Sequence, residues 1–129
     1  MRNVTDKFYF VSVYQSGKTL EENKKAHAAM LQSLKTQGRT VAEVNGSYQG
    51  IQEQSLLIVG TNLTEESVAK IATENKQESY LVVHYDGAAE LVFSTGVRKI
   101  LGKMNQVSKE EAMKKADWSE VNGTFFVVE

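Results

Sequence analysis

Residues 45–59, Asn-Gly-Ser-Tyr-Gln-Gly-Ile-Gln-Glu-Gln-Ser-Leu-Leu-Ile-Val, join a glycine-containing segment to an apolar run. Glycine adopts positive φ angles and lets a ligand approach the backbone closely, so Gly46 and Gly50 predict a loop with room for a ligand. The apolar run within residues 55–60 predicts a strand buried on both faces. Glu53 lies between the two, where a carboxylate can lose part of its hydration and become chemically useful. The alternative is an ordinary strand connection with a hydrated glutamate, because most loops bind nothing.

Strand and helix patterns alternate on both sides of this stretch. Residues 8–14 are rich in aromatic and β-branched side chains, which predicts a first, central strand, and residues 40–45 predict a short second one. Helices are predicted at residues 19–37 and 64–76, because each range begins with a threonine that can cap a helix and continues with apolar residues at helical spacing.

Two glycine-containing dipeptides predict hairpins in the second half of the chain. Asp86-Gly87 and Asn122-Gly123 each separate two apolar runs, and a type I′ turn requires two residues with positive φ. A short helix is predicted from Ser108, before the last hairpin. The order β-α-β-β-α-β-β, then helix and hairpin, predicts an α+β fold. Its first six elements predict a ferredoxin-like split β-α-β sandwich, with an antiparallel sheet and two main helices on one face.

Composition limits the classes of function. The 129 residues suit a single domain covering residues 1–129, and the net charge of −1 predicts neither a nucleic-acid nor an anionic-membrane partner. The absence of cysteine excludes disulfides and thiolate metal sites, and it favours a cytoplasmic location. We expect no metal site, because the two histidines are distant in sequence, and His27 is expected to be a packed, satisfied histidine. An RNA-binding module is disfavoured, since the third strand lacks aromatic residues.

Four motifs together resemble a known family. They are residues 8–16 with Ser12 and Ser16, the Gly46-Ser47-Tyr48 segment, Glu53 before the third strand, and Gln77 ahead of residues 81–83 and 90–96. In this order and spacing they resemble the phage S-adenosylmethionine lyases, formerly described as hydrolases. The link between Tyr48 and Glu53 is shorter here than in the family. A related set of uncharacterised bacterial proteins shares the strand pattern after Glu53.

The resemblance implies an enzyme that cleaves S-adenosylmethionine to 5′-methylthioadenosine and homoserine lactone. The substrate's own carboxylate attacks its γ-carbon, and no metal or redox cofactor takes part. Glu53 is then the catalytic carboxylate. The substrate-binding residues implied by the resemblance are Tyr48, Gln77, Gly46, Ser47, Gly50, Ser12 and Ser16.

The resemblance also implies a homotrimer whose active sites lie between subunits. It implies a phage counter-restriction role in the host cytoplasm, where removing S-adenosylmethionine blunts restriction and methylation. The alternative is a non-catalytic small-molecule-binding or interaction module on the same scaffold, which would tolerate the loss of Glu53.

Overall fold

The computed structural model describes residues 7–48, 50–60 and 63–129, without the side chain of Tyr48. The elements in these ranges are β1 (Phe8–Val11), α1 (Leu20–Thr36), β2 (Val41–Tyr48), β3 (Ile51–Val59), α2 (Glu65–Glu74), β4 (Ser79–Val83), β5 (Ala88–Phe93), β6 (Arg98–Val107), α3 (Lys109–Met113), β7 (Trp118–Val121) and β8 (Thr124–Val128). None of the helices in the described part of the chain is long and apolar enough to cross a membrane.

The strands form one closed antiparallel barrel in the order β1-β3-β2-β7-β8-β6-β5-β4. The predicted ferredoxin-like sandwich is therefore wrong. In such a sandwich β2 and β4 would be the free edges of a four-stranded sheet. Instead, β7 pairs with β2, β5 pairs with β4, and the pairing of β6 with β8 closes the wall. Closure of the barrel pairs the strands that would be edges of an open sheet. The C-terminal hairpin supplies two of the strands needed for this closure, so it is part of the wall rather than an appendage.

Helices α1 and α2 cover one face of the wall. The interior of an eight-stranded barrel holds little more than side chains, so these helices lie outside it. Leu34 of α1 and Val68 of α2 belong to the same buried cluster as Leu56, Ile58 and Val82 of the strands. These three strand residues are completely buried, and their burial fixes which face of β3 and β4 meets the helices.

The helix boundaries follow the predicted caps. Thr19 and Glu22 form a reciprocal capping box at the start of α1, and the Thr64 side chain accepts a hydrogen bond from the Ser67 N–H at the start of α2. Both predicted helices are thus confirmed.

The predicted loop between the second and third strands is wrong. β2 continues through Tyr48 and β3 begins at Ile51, so the two strands form a hairpin and Glu53 lies within β3, opposite Gly46. Residues 51–53 are exposed, so the polar Gln52 and Glu53 can belong to a strand. Gly50 lies in the tight turn with a φ of 83°. The positive φ that suggested a ligand loop therefore serves the turn itself.

Candidate active site

The side chains of Ser12 and Glu53 meet where β1 ends beside β3. Val11, the last residue of β1, lies opposite Leu56 of β3, and this pairing brings the following Ser12 to Glu53. Ser12 Oγ donates to Glu53 Oε1 over 2.5 Å and lies 3.4 Å from the Gln54 carbonyl oxygen. Ser12 Oγ also accepts from the Tyr14 N–H over 3.0 Å. The backbone therefore orients the hydroxyl toward the carboxylate.

Glu53 is exposed in the single chain, so the expected partial loss of hydration is not observed. None of the described lysine, arginine or histidine side chains forms a salt bridge with it. Gly46, its neighbour across the hairpin, contributes no side chain beside it. A Cβ at Gly46 would lie 3.4 Å from the Trp118 carbonyl oxygen, so glycine is not required there for packing. None of the described cations neutralises the hydrogen-bonded carboxylate, so within the described part of the chain it is open to a cationic ligand.

Tyr14 connects the other polar groups of this region. Its hydroxyl donates to Gln54 Oε1 over 2.9 Å, and its carbonyl oxygen accepts from Gln77 Nε2. Burial raises the pKa of Tyr14, and the charges of Glu53 and Glu43 raise it further. The structure thus brings Gln77 to the site through the Tyr14 backbone and shows no contact between Gln77 and Glu53. Sequence reasoning did not select Tyr14 or Gln54, although Tyr14 lies only two residues after Ser12.

His27 lies behind Tyr14. The two rings meet edge to face with centroids 6.2 Å apart. The His27 side chain is 2% exposed, and its Nε2 lies 3.2 Å from Glu43 Oε1. The histidine is packed as predicted, but it is not fully satisfied, because Nδ1 has no hydrogen-bond partner among the described residues.

Ser47 and Gly50 form hydrogen bonds elsewhere in the chain, and Ser16 forms none with Glu53 in the described structure. The Ser47 hydroxyl and the Gly50 N–H both donate to the Ala116 carbonyl oxygen, over 2.9 Å and 3.2 Å, and so hold the hairpin to the C-terminal region. Ser16 lies exposed in the turn before α1. The Tyr48 side chain lies outside the described part of the structure.

A second polar cluster lies on the other side of β1. Arg98 Nη1 and Nη2 donate to Glu65 Oε2 over 2.6 Å and to Glu90 Oε2 over 2.9 Å. His84 Nε2 lies 2.8 Å from Glu90 Oε2. Hydrogen bonds from Arg98 and then His84 lower the pKa of Glu90 to about 2. Burial raises the pKa of Tyr80 to about 12, together with its hydrogen bond to Glu65.

A cavity of about 300 Å³ adjoins this second cluster, between α2 and the β4–β5 hairpin. Arg98, Glu65, Tyr80 and Gln77 line it, whereas Glu53 and Ser12 do not. Its arginine and glutamate are already paired within the chain. The Glu53 carboxylate and this half-open cavity are therefore separate features of the molecule.

Residues 9–129 match the model of the S-adenosylmethionine lyase family. The chain belongs to the S-adenosylmethionine lyase family. The resemblance to S-adenosylmethionine lyases is thereby confirmed for the family, though not for a phage origin, and the match extends through the C-terminal hairpin that closes the barrel. A search of curated proteins returns no match. Family membership makes the chain an enzyme with S-adenosylmethionine as its substrate and lyase chemistry as its activity.

Proposed function

We propose that the enzyme cleaves S-adenosylmethionine to 5′-methylthioadenosine and homoserine lactone. A carboxylate oxygen of the substrate forms a bond to the γ-carbon as the bond from that carbon to sulfur breaks. The electron pair goes to sulfur, which becomes a neutral thioether, so atoms and charges balance without another reactant. The observation that carries this proposal is the Ser12–Glu53 pair, since this carboxylate is held in place by a neutral hydroxyl and is paired with none of the described cations.

Glu53 binds the substrate ammonium in this proposal, and Ser12 fixes the carboxylate that does so. A hydrogen bond to a charged group contributes about 1.5–3 kcal/mol. Fixing the ammonium restricts the methionine part to the conformation in which its carboxylate meets the γ-carbon. Orientation of that kind supplies roughly 7–11 kcal/mol in intramolecular reactions.

Other residues act on the rest of the substrate. We assign the Tyr48 ring to the sulfonium or adenosine, where a cation over an aromatic face gains about 0.5–2 kcal/mol. Backbone groups near Gly46 face adenine or ribose in this proposal. Gln77 acts indirectly, since it holds the Tyr14 carbonyl oxygen and Tyr14 positions Ser12 through its N–H.

We further propose a homotrimer with active sites between subunits. The reaction neutralises a carboxylate and a sulfonium, and a dry site of low dielectric favours that loss of charge. Glu53 is exposed in one chain, so another surface has to cover it during turnover. Light scattering at the concentration used for assays measures the mass, and a monomer with full activity contradicts the proposal.

The reaction type is tested in isotopically labelled water. Purified enzyme is incubated with S-adenosylmethionine, methylthioadenosine is identified, and the label is located in homoserine. Attack by the substrate carboxylate leaves the side-chain oxygen unlabelled, because later opening of the lactone adds water at the acyl carbon. Label in the side-chain hydroxyl would show direct hydrolysis and end the lactone proposal.

The biological role proposed here is phage counter-restriction in the host cytoplasm. Depleting S-adenosylmethionine deprives methylases and S-adenosylmethionine-dependent restriction enzymes of their substrate or cofactor. Expression in a restricting bacterium should raise the plating efficiency of an unmodified phage, and a Glu53→Gln variant should not. Equal plating with both proteins contradicts this role.

A further inference from the structure

One length of β6 has a strand neighbour on one side only. β8 pairs with residues 104–107, whereas residues 98–102 pair only with β5 among the described strands. The Phe93 N–H donates to the Val97 carbonyl oxygen over 2.9 Å, which sets the alternation of hydrogen bonds along this pair. The backbone of Lys99 therefore faces β5, and the N–H and C=O groups of Arg98 and Ile100 point away from the barrel wall.

β2 has a second open length. β7 pairs with residues 45–47 only, so residues 41–44 have β3 as their one strand partner in the described structure. The Val59 N–H donates to the Thr40 carbonyl oxygen over 2.9 Å. By the same alternation, the backbone groups of Val41 and Glu43 point away from β3. The closed barrel thus retains two short open edges on different strands.

The β6 edge carries exposed apolar side chains. Ile100 is 75% exposed, Val97 59% and Leu101 38%. An exposed apolar strand edge is a template for pairing with another strand. Two β6 edges paired about a two-fold axis at Lys99 would place the Lys99 side chains of the two copies opposite each other, which is unfavourable. The β2 edge instead offers an acidic Glu43 and Val41, which packs partly against the core of its own chain.

We propose that residues 98–100 of one copy pair antiparallel with residues 41–43 of a second copy. This register places Ile100 opposite Val41 and Arg98 opposite Glu43, and it uses the outward backbone groups of both edges. Arg98 bonds to Glu65 of α2 and Glu43 contacts His27 of α1, so both side chains lie on the helix-covered face. The barrel walls of the two copies would therefore form one continuous sheet, with their helix-covered faces on the same side.

The two edges differ, so the contact is head to tail. Such a contact builds a closed ring or a filament rather than an isolated two-fold dimer. The inference deepens the proposed assembly of copies, on which it rests, by naming the strands that join them. It does not depend on the identity of the reaction products.

Single cysteines test the pairing, because the chain has no cysteine of its own. Directly opposite residues have Cα atoms about 5.5 Å or less apart in antiparallel strands, which lies within the range that a disulfide spans. After mild oxidation, an equal mixture of Val41→Cys and Ile100→Cys proteins should give a crosslinked dimer on a non-reducing gel. Neither variant alone should do so. A dimer from Ile100→Cys alone, or no crosslink in the mixture of folded proteins, overturns the proposal.

A surface charge provides an independent test. Ile100→Lys should lower the mass measured by light scattering from oligomer to monomer at an unchanged protein concentration. Leu20→Lys is the matched control, because Leu20 is 61% exposed and lies in the first turn of α1 rather than on either strand edge, and it should leave the mass unchanged. An unchanged mass for Ile100→Lys overturns the interface. The proposed reaction is tested separately, by product analysis. Lactone formation without the crosslink would refute the interface and leave the proposed reaction standing.

Discussion

Glu53 and Glu90 are both strand glutamates, and they differ in the partners of their carboxylates. Glu90 accepts from the Arg98 guanidinium and contacts His84, and its pKa falls to about 2. Glu53 accepts from the neutral hydroxyl of Ser12 and lies exposed. A carboxylate paired with an internal cation stabilises the fold, whereas one held by a neutral hydroxyl lacks such a cation among the described residues. The contrast supports a structural role for Glu90 and agrees with the substrate-binding role proposed for Glu53.

Replacing each glutamate by glutamine gives the largest expected effect. Glu53→Gln should lower kcat/KM for methylthioadenosine formation at least about 30-fold, because the lost charged contact is worth about 2 kcal/mol or more. Its thermal midpoint should stay near that of the parent protein, since Glu53 forms no salt bridge with the described residues. Glu90→Gln should show the opposite pattern, with retained turnover and lower stability. Turnover near the parent value in folded Glu53→Gln would show that catalysis does not depend on the Glu53 carboxylate.

Arg98 should matter for the stability of the fold. Arg98→Gln leaves the Glu65 and Glu90 carboxylates without their shared cation. The expected loss in the free energy of unfolding is about 1–3 kcal/mol, reduced from a buried value because Arg98 is partly exposed. Lys99→Gln is the matched control, and urea unfolding should change by no more than about 0.5 kcal/mol. Equal stabilities for the two variants would mean that the network contributes nothing.

The sequence predicted features that neighbouring residues determine, but not contacts between residues that are distant in the chain. Helix caps and the Asp-Gly and Asn-Gly turns are local signals, and both helices and both hairpins were found where these signals lie. Closure of the barrel depends on residues 45–47 pairing with residues 118–120. No local pattern encodes that contact, so the sequence favoured an open sheet with an appended hairpin.

Prediction of the site was limited in a similar way. Glu53 was selected through its motif, but its contact with Ser12 joins residues 41 positions apart and became visible only through strand pairing. The role of Arg98 was not predicted, because sequence alone does not show that Glu65 and Glu90 converge on it. Tyr14 was missed because its contacts with Gln54 and Gln77 are also non-local.

Acid should destabilise the Arg98 cluster. The folded-state pKa of Glu90 is about 2, below its ordinary value of 4.5, and hydrogen bonds from Arg98 also lower the pKa of Glu65. A lowered folded-state pKa contributes stability that is complete above the ordinary value and is lost as pH falls toward the folded value. Urea midpoints should therefore fall between about pH 4.5 and pH 2, and fall less steeply in Glu90→Gln. Parallel pH curves for the two proteins would contradict this assignment.

The smallest expected effect distinguishes two serines that the family resemblance treats alike. Ser12→Ala removes one hydrogen bond to Glu53. Because water competes for this exposed carboxylate, the bond is worth about 0.5–1.5 kcal/mol rather than the larger value for a charged group, so kcat/KM should fall about 2- to 12-fold. Ser16→Ala should change it less than about twofold, because an exposed hydroxyl that forms no hydrogen bond with Glu53 in the described structure contributes little. Initial rates over a range of substrate concentrations measure both. Equal losses in the two variants would show that Ser16 also acts on the substrate. The hydrogen bond from Ser12 would then not be evidence that Glu53 is the substrate-binding carboxylate.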